Sequence, residues 1–149
     1  MRFSTGALSL LSLAALSAAS GTTVEPTNGE TIDPDTSFPF DYENANICHS
    51  GYSHISVYLS DSAPTSADIS GGELVAGSFI FKFGDWLIPN FGLPAMTNPP
   101  PPPSSLQMPE LDSVADGTTL FFSVVETFGG CPPDGHTEYG LETTTVVYA

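Results

Sequence analysis

The sequence predicts an all-β fold, an antiparallel sandwich of about seven strands, and three observations carry that prediction. No window beyond residue 20 keeps a sustained 3.6-residue apolar period. Short runs rich in Val, Ile, Phe, Tyr and Thr recur instead, bounded by Gly, Pro, Asn and Asp clusters. Some of these runs alternate apolar with polar residues, the period of a strand with one buried face.

The elements are expected in this order along the chain. A first strand is expected around 22–24 or 31–32, with Pro26-Thr27-Asn28-Gly29 as a turn, and a second over 38–42. Residues 53–59 alternate His54, Ser56 and Tyr58 with Ile55, Val57 and Leu59, which turns the aliphatic set inward; Asp61-Ser62-Ala63-Pro64 stops the run. Residues 77–84 set Phe79, Phe81 and Phe83 on one face against Ile80 and Lys82, a strand with its phenylalanines in the core. The stretch 85–96 is apolar, but Pro89 and Pro94 forbid a central strand, so it reads as a greasy loop. Pro99 to Pro103 come next, inside a proline-rich surface loop at 97–104, expected to be extended polyproline II and a stiff spacer. Residues 105–108 suit a short strand and Asp116-Gly117 a turn. Residues 118–128 form the longest run, apolar on both faces at Leu120, Phe121, Phe122, Val124 and Val125, as a central strand requires. The loop Gly129-Gly130-Cys131-Pro132-Pro133-Asp134-Gly135 leads to a last strand over 141–148.

Ahead of these elements, residues 1–20 combine Arg2, a short apolar run from Ala7 to Leu16 and the small residues Ser17-Ala18-Ala19-Ser20. That is a secretory signal with cleavage after Ala19 or Ser20; the apolar run falls short of the roughly 20 residues of a membrane span. Residues 21–149 then form a single secreted domain. The whole chain carries a formal charge of −15, one unit more negative once Arg2 is gone, with Lys82 the remaining base against seventeen acids. No basic patch exists to displace counterions or meet an anionic headgroup, so nucleic acid and membrane are excluded as partners of the mature domain. The same charge argues for a soluble monomer. In a secreted chain Cys48 and Cys131 are expected to form a disulfide.

Several stretches carry a resemblance. Leu106-Gln107-Met108-Pro109-Glu110-Leu111, then Asp116-Gly117 with the run to Val125, a Gly/Pro-rich loop and a Thr/Val-rich closing strand resemble the last three strands of fibronectin type III and related immunoglobulin-like domains. Gly29-Glu30-Thr31-Ile32, Phe38-Pro39-Phe40 and Ser56-Val57-Tyr58-Leu59 are similar to the Ig-like amino-terminal domain of fungal Ser/Thr-rich cell-wall proteins, and the whole chain resembles small secreted fungal proteins of undescribed activity. The resemblance implies an Ig-like sandwich in an extracellular or cell-wall setting; function must be argued from the surface. One departure concerns the corner tyrosine of the penultimate strand, whose place is taken by Leu120 or Phe121.

The chemistry-bearing residues fall into three groups: histidines, carboxylates and exposed apolar side chains. His49, His54 and His136 stand outside any nucleophile-elbow motif. A disulfide would bring His49 and His136 to one end of the fold, where Asp134 or Glu138 could complete a metal site; exposed loop histidines are the preferred reading. A terminal-histidine copper site is disfavoured, because cleavage exposes Ser20 or Gly21. Asp33 with Asp35, and Asp41 with Glu43 and Asn44, offer oxygen ligands for calcium or paired carboxylates for glycan hydrolysis, but so many acids make such pairs unspecific. No catalytic, metal or cofactor residue is assigned. The remaining candidate is an apolar surface of Trp86, Phe91, Leu93 and Met96 with the proline run, set against a preferred reading in which Trp86 and Phe91 fold back as a plug over one sheet edge. The expected function is a non-catalytic extracellular or wall-associated module that contacts a glycan or a protein there. The alternatives are a small carboxylate-dependent hydrolase and a secreted effector or inhibitor of a foreign protein.

Overall fold

The structure is a computed structural model and describes residues 20–133 and 135–149. Residues 1–19 of the expected signal, and Asp134, lie outside the described residues. The chain is all-β. In order it forms β1 (Thr22–Glu25), β2 (Glu30–Ile32), β3 (Ser37–Pro39), β4 (Asp41–Glu43), β5 (Tyr52–Ser60), a 3-10 turn (Ser66–Asp68), β6 (Ile69–Ser70), β7 (Glu73–Leu74), β8 (Phe81–Pro89), β9 (Ser105–Gln107), β10 (Thr118–Gly129) and β11 (Thr137–Tyr148). These exceed the expected number because both early candidates form, residues 38–42 break at Phe40, and a short hairpin is added.

The main sheet runs β2-β11-β10-β5-β8, antiparallel except where β2 lies parallel to β11. Two short ladders, β1-β4 and β3-β9, supply the facing layer. The long strands make the sheet because β-branched and aromatic residues such as Ile55, Val57, Phe122, Val124, Val146 and Tyr148 recur at their inward positions. Val124 pairs with Val57 and Phe122 with Leu59, so Ile55, Val57, Leu59, Leu120, Phe122 and Val124 share one face and are fully buried. Against them the short ladders press Phe38, Phe40, Tyr42, Leu106 and Met108. Phe122 sits at the centre, its ring 6.0 Å from Phe38, 5.8 Å from Phe40 and 5.6 Å from Phe83 in edge-on or tilted geometry.

The outer face of the sheet is covered as well, which alternation alone did not predict. Tyr58 and Val125 are buried there beneath Leu74, Ile69 and Phe79. The cover is the β6-β7 hairpin, closed by Gly71-Gly72 with both φ values positive, 62° and 88°, the conformation a two-residue hairpin loop needs. Leu74 donates its N–H to Tyr58 Oη at 3.3 Å. Lys82 pins the hairpin from below, its Nζ 3.1 Å from Glu73 and 2.9 Å from Asp85.

Residues 77–84 depart from expectation. The strand starts only at Phe81; Phe79 crosses to the outer face, its ring 4.8 Å from Tyr58. Within β8 a β-bulge shifts the register. Gly84 pairs with Val57 and Lys82 with Tyr58, leaving Phe83 as the extra residue. One inserted residue reverses the side-chain parity, so Phe81 and Phe83 before it, and Trp86 and Ile88 after it, all pack on the main core. The expected loop at 85–96 is therefore half strand. β8 is an edge strand, where Pro89 is tolerated at its end. The proline tract is not a free spacer but lies along this edge, with Leu87 donating to the Pro100 carbonyl at 2.9 Å, and it shields an otherwise open strand.

Two closures complete the fold. Cys48 and Cys131 form a disulfide with a Cα–Cα distance of 5.4 Å across 83 residues of sequence. Near the carboxyl end, Tyr148 Oη on β11 accepts the Leu111 N–H at 2.9 Å.

Candidate functional site

The disulfide end of the sandwich gathers loop residues 44–51, 90–96, 130–133 and 135–136, where β4, β5, β8, β10 and β11 begin or stop. Below the surface it is held by polar groups. Following the inward parity of β10 past Val124 places Glu126 on the core face, fully buried. Its Oε2 accepts Tyr42 Oη at 2.9 Å and the Ala45 N–H at 2.7 Å. Burial first, then the charge and hydrogen bond of Glu126, push the Tyr42 hydroxyl well above the usual phenol range. Asn90 locks the loops together: its amide nitrogen donates to the Gly51 carbonyl at 3.2 Å, and its Oδ1 accepts from Asn44 at 2.9 Å. Asn44 also donates to Ser53 Oγ at 3.0 Å. Asn46 donates to the Ser50 carbonyl at 2.9 Å, and Tyr52 Oη donates to the Pro94 carbonyl at 3.1 Å.

On this base stands an apolar rim. Ile47 is 67 % and Phe91 78 % exposed, with Leu93 and Met96 also open to solvent. His49 and Phe91 both hold left-handed backbone, φ 48° and 47°, where residues with a Cβ are uncommon. Their rings meet edge to face at 5.0 Å. Two strained residues that prop one another outward mark a place where conformation is maintained against a local cost. Turning Phe91 into solvent also forgoes burial of a large apolar side chain, a loss of about 1.5–3 kcal/mol.

The expected surface is thus divided. Phe91, Leu93 and Met96 are exposed, whereas Trp86 is in β8, half-buried, with its ring 6.0 Å from Phe40. The bulge at Phe83 corrects its expected place on a loop, turning the indole to the core. Ile47 and His49 join the rim instead; the left-handed turn after Asn46 that presents them left no distinctive signal. His136 faces Glu138 at 3.5 Å rather than His49. Among the described residues, no three His, Cys, Asp or Glu side chains converge on a metal position. Asp35 binds Gln107 Nε2 at 2.7 Å.

Two open clefts are also present. One, of about 420 Å³, is lined by Pro39, Phe40, Asp41, Tyr42 and Pro102–Ser104, the other, of about 370 Å³, by residues 62–64, Asp68 and 75–78. Each is lined by one carboxylate, Asp41 or Asp68. Among the described residues no helix is long and apolar enough to cross a membrane. The chain matches no family model, no curated protein and no solved structure.

Proposed function

We propose that the protein is a secreted, non-catalytic module of immunoglobulin or fibronectin type III type that binds an extracellular or wall-associated protein through the rim of Ile47, Phe91, Leu93 and Met96. The single observation that carries the reading is Phe91, exposed on strained backbone and propped by His49 over a hydrogen-bonded loop base. Such a rim is pre-organised, so little ordering cost is left for binding. The disulfide supports an oxidising compartment. The strand order supports the Ig-like type: β3 pairs with β9 and β1 with β4 in the short ladders, and β2-β11-β10-β5-β8 form the facing sheet.

A protein is favoured over a glycan because Trp86, the broad ring suited to stacking on a sugar, packs inward. The strongly acidic domain fits a partner whose apolar patch is ringed by basic residues. The test is capture from culture fluid and wall extract with tagged full chain, processed by a secretory host, against the Ile47→Ser/Phe91→Ser variant. The reading expects a retained protein that the variant loses at least tenfold, with circular dichroism unchanged. Equal retention, or retention of wall polysaccharide alone, overturns it.

A further inference from the structure

The buried carboxylate of Glu126 is only half used. Both of its donors meet Oε2, and among the described residues Oε1 has no hydrogen-bond partner. A fully buried, unpaired carboxylate oxygen is costly, and in native proteins such a group asks for an explanation.

Gly21 lies directly against this site. It is buried, and a side chain there would strike Tyr42 Oη and the Glu43 carbonyl oxygen, so only glycine fits. The Tyr42 hydroxyl that borders Gly21 is itself 2.9 Å from Glu126 Oε2. Gly21 is also one of the two residues that removal of the signal would expose as a new amino terminus.

We propose that signal removal occurs at the Ser20–Gly21 bond, and that the α-ammonium of Gly21 so released docks on Tyr42 and Glu126, completing the core end beneath the candidate binding rim. This rests on the secretion part of the functional reading, but not on the identity of the partner. Hydrolysis of that peptide bond leaves the carboxylate on Ser20 and turns an amide with one proton into an ammonium with three. Docked there, those protons would face Tyr42 Oη and Glu126, and the two acids whose charge acts on the adjoining Tyr42 hydroxyl, Glu126 on β10 and Glu142 on β11, have the sign that favours a cation. Cleavage one bond earlier would place the ammonium on exposed Ser20, a residue farther from the carboxylate. The amino terminus would thus serve as a structural cation in a chain that keeps a single lysine.

The pH dependence has a definite sign. An α-amine held by a buried carboxylate titrates above its ordinary value of about 8. Its stabilising contribution is complete below that unfolded value and is lost as pH rises through the higher folded one. Tyr42, shifted upward as well, titrates beyond this window.

The experiment uses the full chain processed by a secretory host. Terminal sequencing of the secreted protein tests the cleavage site, with Gly21 expected first; any other first residue overturns that part. Pulse labelling with an amine-reactive acyl reagent from pH 6 to 11, read by mass spectrometry, then tracks the only two amines of the product, the terminus and Lys82. The terminus is expected to titrate at least one unit, tenfold in proton affinity, above a matched unfolded peptide, and Glu126→Gln should return it to the peptide value. An ordinary value in the folded wild type overturns the docking, and that measurement holds even where Glu126→Gln fails to fold. The outcome is independent of capture experiments at the rim, so failure of one reading is distinguishable from failure of the other.

Discussion

Replacing both cysteines, Cys48→Ala with Cys131→Ala, should cost this domain about as much as many domains possess in total. The bridge spans 83 residues of sequence, and within that span lie β5 to β10, including the two strands that form the centre of the sheet. Closing a loop of this length removes about 4–5 kcal/mol of chain entropy from the unfolded state. Set against a typical stability of about 5–15 kcal/mol, the reduced form is marginal. With a urea slope of about 2 kcal/mol/M the midpoint should fall by about 2 M. Trp86 is the natural probe, since it is the sole tryptophan and its ring packs on Phe40 and the core. Urea titrations of the bridged and cysteine-free proteins, monitored by Trp86 fluorescence, give the comparison directly. A midpoint shift below about 0.5 M at unchanged slope would refute the reasoning, because the bridge would then close a loop the unfolded chain already keeps closed.

The same geometry sets other outcomes. Phe122→Ala empties the meeting point of Phe38, Phe40 and Phe83 and should destabilise by about 3–5 kcal/mol; a loss under 1 kcal/mol in urea unfolding would show that the short ladders do not pack as a layer. Burial pushes the Asp85 carboxyl upward, but hydrogen bonds from Ser56 and Lys82 outweigh it and hold the group below its ordinary 3.8. The stabilisation is therefore present above pH 3.8 and lost as pH falls below it. Asp85→Asn should flatten the stability profile on that acid limb, with an effect of under about 1 kcal/mol for a partly exposed pair, and unchanged profiles from pH 2 to 5 would contradict it.

The class of fold and its longest strands were legible because their causes are local. Alternating Ile55, Val57 and Leu59 define β5, the two-sided apolar run from Leu120 to Val125 defines β10, and Asp116-Gly117 and Pro26-Thr27-Asn28-Gly29 carry their own turn chemistry. The disulfide was legible from the presence of two cysteines in a chain whose first residues read as a secretory signal. The bulge at Phe83 was not, since it depends on the register with β5, and with it went the placement of Phe79 and Trp86. The outer hairpin was missed although Ser70-Gly71-Gly72-Glu73 is a hairpin signal between short apolar stretches. Glu126 was missed because its strand was read for apolar content; inward parity from Leu120 through Phe122 and Val124 reaches it directly. Of the candidate site, Phe91, Leu93 and Met96 could be named in advance as apolar residues that prolines keep out of a central strand. Their alliance with Ile47 and His49 joins loops far apart in sequence, and only the folded sheet and its disulfide bring those together.

Under the proposed function the disulfide end is the face that meets a protein. A photo-crosslinking residue placed at Phe91 in the secreted full chain, with a second version carrying it at Asp116 in the turn at the opposite end of β10, tests this most directly. Irradiation in culture fluid or wall extract should yield a discrete protein adduct from position 91 and none from position 116. Equal adducts from both positions, or none from position 91 while the protein is still retained, would contradict it.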